Sequence, residues 1–176
     1  WFYLLTPLYF LGQGNPMVPA YFFVGLHAAS AILLYNLTKK VGGVWAGAIA
    51  SILFVVSFSN ILFSRWLSNP TPLPFFSLVL FSLLLRAIEK KSTLWALCSG
   101  VVLGLCLQLE AANAVWFLLT VPIVTIWLRR DELLGKRSTK KTRVAFLLFL
   151  LSGGLGLGLT LLPQLAFELR HGFLSF

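Results

Sequence analysis

LYNLTKKVGG, Leu34–Gly43, places two lysines and two glycines between long apolar runs. Upstream, about 17–38 reads as one membrane span closed by Lys39 and Lys40. Downstream, Gly42 to about Phe63 reads as a second. A charged break between two spanning lengths is what a helix, a short loop and a returning helix require. Worked outward, the same pattern recurs along the chain. Further spans read at about 72–85, 93–109, 113–128 and 144–167.

Composition favours the same class. The chain has 176 residues, is 59% hydrophobic and only 11% charged, and has a mean hydropathy of +0.90. A soluble domain of this length has too little interior to hide that much apolar surface. The expected fold class is therefore all-α: one polytopic transmembrane helix bundle over 1–176, with about six spans. Residues 1–14, aromatic but too short to span and interrupted by Pro7 and Gly12/Gly14, read as an outward interfacial helix, with Tyr3 and Tyr9 as interface anchors. Trp1-Phe2-Tyr3 shows no initiator Met or signal-peptide pattern, so the chain reads as a fragment of a longer protein.

The net charge of +9 raises nucleic acid as a partner, and its placement argues against that. Twelve of the 14 Lys and Arg residues sit in three loops, at 39–40, 86–91 and the basic loop 129–143. By the positive-inside rule these loops are cytoplasmic. The other two, Arg65 and Arg170, then lie on the outward side. Cys98 and Cys106 are eight residues apart in one apolar run, about 12 Å along a helix, beyond disulfide reach. Both read as small core residues. Zinc spacing, a Walker loop and a Gly-x-Ser-x-Gly elbow are all missing, so the residues call for no cofactor and name no metal site, while a need for a divalent metal stays open.

Small residues recur at helical spacing as Gly43/Gly47/Ser51, Gly100/Gly104 and Gly154/Gly158, which predicts close helix approach in lipid. GGLGLGL, residues 153–159, lies inside an apolar span and reads as packing, not as a phosphate loop. His27 lies mid-span, where a hydrogen-bonded packing role outweighs chemistry although any intramembrane ionisable group invites attention.

The outward positions hold the candidate site. In SRWLSNPTPLPFF, Ser64–Phe76, Arg65 and Asn69 precede prolines at 70, 72 and 74, which predict a stiff, extended lead into the third span. Beyond the sixth span come Glu168, Arg170 and His171. Glu168 and His171 are three apart and suit a pair on one helix face; Arg170 points elsewhere. A guanidinium matches phosphate oxygens with a planar fork of donors, although an arginine at a span's end also snorkels to lipid phosphates. Glu110 reads either as a solvated loop acid or as a site carboxylate.

FYLLTPLYFLGQGNPMVPAYF followed by LYNLTKKVGG resembles the first outer loop and second helix of family-39-like membrane glycosyltransferases. That group includes protein O-mannosyltransferases, aminoarabinose transferases of lipid A and related bacterial enzymes. FSRWLSNPTPLPFF, LGLCLQLE and FELRHGFL are similar, in the same order, to segments of a bacterial branch. The resemblance implies a GT-C fold in a bacterial inner membrane with an outward active site. It implies transfer of a sugar from a polyprenyl-phosphate donor to a hydroxyl on a lipid, glycan or protein acceptor. Arg65 and Arg170 would hold the donor phosphate, with Asn69 and His171 orienting oxygens and Glu110 and Glu168 in support. It assigns the catalytic base to an Asp ahead of Trp1. Relatives often carry His-Tyr after the glutamine where this chain has Leu109-Glu110, a departure that leaves the supporting role of Glu110 resting on its outward placement. A transporter or lipid flippase, and a non-catalytic membrane scaffold, are the competing classes. Inverted repeats or a charged path through the spans would mark the transporter.

Overall fold

A computed structural model describes residues 2–130 and 139–171, with side chains from Leu5 onward. Every regular element among them is a helix. Most of the basic loop expected at 129–143, and the end of the tail after His171, lie outside the described residues. The chain divides into two compact units, Trp1–Val79 and Leu80–Phe176.

In the first unit, α1 (Phe2–Leu11) is followed by α2 (Met17–Val56) and the short α3 (Phe58–Ser64). The α1–α2 turn is closed by Gly12 N–H to Leu8 O and Gly14 N–H to Tyr9 O. Gly14 sits at φ +83°, a left-handed conformation that glycine adopts without a Cβ penalty. Asn15 Oδ1 then accepts from Met17 N–H at 2.9 Å, satisfying one free donor at the start of α2.

A straight helix of 40 residues would be about 60 Å long, twice the hydrocarbon thickness of a bilayer. α2 instead folds back on itself at Gly43, which has φ 82° and ψ −178°. Ser51 Oγ donates to Ala31 O at 2.9 Å, and Gly47 packs on Tyr35 O and the Lys39 Cβ. Residues twenty apart in sequence can touch in this way only if the two arms are antiparallel. Pro19, Phe23, His27 and Ser30 are buried along the first arm, at the spacing of one helix face. The second arm ends at Ser57, which is extended (φ −62°, ψ 121°), so the run expected over 42–63 is broken into an arm and α3.

α4 (Leu73–Lys90) leads into the second unit, where α5 (Thr93–Leu109), α6 (Ala111–Leu128) and α7 (Lys140–His171) follow. Contacts along α5 and α7 advance together: Ala96 meets Gly153, Gly100 meets Leu157, and Gly104 meets Thr160. The two helices are therefore parallel. Gly100, Gly153 and Gly156 bring the backbones together, as small-residue ridges do in lipid. Gly154 and Gly158 face open space, so the expected ridge lies one face away from the observed one. Ala87, Ala96 and Phe149 form a buried cluster with Ile88, Trp95 and Leu150 against it.

Among the described residues, three helices are long and apolar enough to cross a membrane: α2, α6 and α7. α5 is a shorter apolar helix, and α4 is not among the candidates; by this measure the expected six spans are not reached. Large apolar side chains such as Ile32, Ile49, Trp116 and Leu151 are exposed, an arrangement suited to lipid as the surrounding solvent. The chain is a membrane-embedded helical protein.

Candidate functional site

Arg65 is the C-cap of α3, its N–H bonded to Leu62 O. Its side chain and that of Asn69 are exposed. The connector that carries them is folded, where the prolines predicted an extended lead. Thr71 N–H bonds to Ser68 O, Leu73 N–H to Pro70 O and Phe76 N–H to Pro72 O. Thr71 is fully buried, and its Oγ1 donates to Trp66 O at 2.6 Å. Phe63 and Trp66 meet edge to face with ring centroids 5.8 Å apart. Proline fixes φ at a value that suits turns as well as extended chain; the buried Thr71 hydroxyl decides for turns here. Thr71 and Trp66 thus mount Arg65, a role to which nothing in the local sequence pointed except a lone threonine between two prolines.

The remaining candidates belong to the second unit. Glu110 is half-buried at the α5–α6 junction, extended at φ −155°, ψ 90°, with its carbonyl accepting from Ala114 N–H. Two residues earlier Gln108 Nε2 donates to Thr160 O, and Thr160 Oγ1 donates to Gly156 O at 3.0 Å, with Val101 O at 3.2 Å. The Gln108–Thr160 and Thr160–Val101 contacts tie the far end of α5 to α7.

Glu168 is buried near the end of α7, while Arg170 and His171 are exposed. The expected Glu168–His171 pair does not form. His171 Nδ1 lies 2.8 Å from Phe167 O, and the imidazole stacks on the Phe167 ring at 4.2 Å. One turn back along a helix, a carbonyl and an aromatic face meet the His171 ring before the carboxylate does. Arg129, which the charge pattern placed in the basic loop, is buried, with its guanidinium 5.1 Å from the Phe146 ring and 4.9 Å from that of Phe149. The two aromatic faces make it a packed cation–π element of the second unit.

His27 has the hydrogen-bonded packing role expected of it. Nδ1 lies 3.1 Å from Phe23 O, and the ring stacks with Phe54 at 6.4 Å. No group of three or more His, Cys, Asp or Glu able to hold a metal occurs among the described residues. Comparison of the chain with protein-family models, with curated proteins and with solved structures gave no match.

Proposed function

We propose that this chain is part of a membrane glycosyltransferase that moves a sugar from a polyprenyl-phosphate donor to an acceptor hydroxyl at the outer face of a bacterial inner membrane. The observation that carries the reading is Arg65: an exposed guanidinium at the end of an apolar helical hairpin, on a turn pinned by the buried Thr71. A cation on a held turn at that position suits the phosphate of a membrane-anchored donor, because guanidinium binds phosphate bidentately and an ordered backbone lowers the cost of placing it. The ordered sequence resemblance to family-39-like glycosyltransferases supports the same chemistry. In this reading the two arms of α2 together with α4, α5, α6 and α7 make six spans, with the lysine-rich and arginine-rich ends cytoplasmic.

Arg170 supplies a second cation for the departing lipid phosphate, with Asn69 and His171 orienting oxygens. Charge stabilisation of that leaving group is what the reaction asks of the protein, beside a base for the acceptor hydroxyl. The reading assigns that base to an acidic side chain outside residues 1–176. The deciding experiment is transfer of radiolabel from polyprenyl-phosphate sugars by the full-length protein in liposomes. Incorporation into a lipid, glycan or protein acceptor is expected. None across a panel of sugars and acceptors would leave a transporter or a scaffold as the better description.

A further inference from the structure

The first unit contains a cavity of about 270 Å³ whose lining includes His27, Phe54, Asn60 and Ser64, with Val24 and Ile61 among its apolar walls. Its polar groups have an uneven supply of protons. Phe23 O can only accept, so His27 Nδ1 carries the proton of their 3.1 Å bond. In the uncharged ring Nε2 is then an acceptor. His27 is 9% exposed, and its Nε2 is buried without a hydrogen-bond partner among the described residues. Ser64 donates its hydroxyl proton to Ile61 O at 2.8 Å, which leaves its oxygen as an acceptor. Asn60 Nδ2 uses one N–H on Phe54 O at 2.9 Å, keeping a second N–H and Oδ1.

We propose that this cavity binds a hydroxyl-bearing membrane lipid whose O–H donates to His27 Nε2. A carboxylate or phosphate brings only acceptors to the lone pairs of His27 and Ser64. An ammonium brings only donors, and carries a charge into apolar walls. A neutral hydroxyl gives one hydrogen bond to Nε2 and takes one from the Asn60 carboxamide. The occupant comes from the bilayer because the walls are apolar and open outward: Val24 and Ile61 are themselves among the exposed apolar residues. The volume equals about nine waters at ~30 Å³ each, room for a hydroxyl headgroup and its first carbons, with the chain leaving along the lipid-facing surface. In a bilayer core no water competes for the orphaned nitrogen. The site is independent of the phosphate chemistry at Arg65, and its ligand is of a different class.

The test is photolabelling of the full chain in nanodiscs with two probes, a diazirine-bearing dodecanol and the same diazirine on dodecane. Peptides containing His27 or Asn60 should be labelled about tenfold more by the alcohol, the excess being lost on competition with dodecanol but not with glycerol. His27→Phe keeps a ring to stack on Phe54 but has no acceptor, and should bring alcohol labelling down to the alkane level. His27→Gln restores an acceptor and should recover most of the excess. If His27→Phe fails to fold, the pair Ser64→Ala and Asn60→Leu carries the same comparison. Equal labelling by the two probes, or an alcohol excess that survives loss of these groups, overturns the proposal. Competition by glycerol would make the ligand a water-borne polyol and overturn the assignment to lipid.

Discussion

Gly100 of α5 lies so close to the carbonyl of Gly153 in α7 that a Cβ on Gly100 would strike it. The parallel pairing of the two helices therefore depends on a missing methyl group. Gly100→Ala should destabilise the second unit by about 1–3 kcal/mol, the usual range for overpacking. Gly154→Ala, with open space around its Cβ, should be neutral or gain up to about 1 kcal/mol from helix propensity. Unfolding in SDS-containing micelles compares the two directly.

Gly43 makes the hairpin by a different means. A Cβ there would meet nothing within 4 Å, so the obstacle is its φ of +82°. With ψ near 180° this is a region essentially reserved for glycine, costing other residues about 1–3 kcal/mol. Gly43→Ala should lower stability by that amount. It should also reduce disulfide formation between cysteines placed at Ala31 and Ser51, positions brought together by the Ser51 Oγ bond to Ala31 O. Gly25→Ala, in open space on the first arm, should affect neither measurement.

Thr71 holds the Arg65 turn through a buried hydroxyl. Thr71→Val keeps the shape and removes the bond, for an expected loss of about 0.5–1.5 kcal/mol. Thr71→Ser should retain most of it. If the turn positions Arg65 for donor phosphate, Thr71→Val should also raise the donor KM while leaving membrane insertion unchanged.

Arg65→Gln and Arg170→Gln test the phosphate assignment itself. Losing a charged hydrogen-bonding partner is worth about 1.5–3 kcal/mol, or roughly a 10- to 100-fold loss in donor use. Each variant in the full-length protein should show that loss in transfer assays with normal insertion. Donor kinetics unchanged in both variants would remove these arginines from the site.

Much of the helical layout was legible because its causes are local. Lys39, Lys40 and the adjacent glycines interrupt an apolar run, and the chain turns at Gly43. Thr93–Leu109 begins and ends where the apolar run at 93–109 does. The candidate site was less legible. His171 prefers the carbonyl and ring of Phe167 to Glu168, a choice between neighbours one helical turn away that spacing alone leaves open. The prolines around Thr71 allow both turn and extended chain, and a hydroxyl bonding five residues back selects the turn.

Composition and periodicity by themselves determined that this chain is helical, membrane-embedded and broken at charged or glycine-containing points, because burial in lipid acts on every segment separately. Only tertiary structure decided which glycines are used. The run GGLGLGL offers glycine on more than one helix face, and the rotation of α7 against α5 selects Gly153 and Gly156 over Gly154 and Gly158. The same holds for His27: the sequence places it mid-span, but the return of the second arm and α3 brings Phe54 against its ring and makes it part of a cavity wall. Contacts of this kind join residues more than twenty positions apart, and their energies exist only once the arms have met.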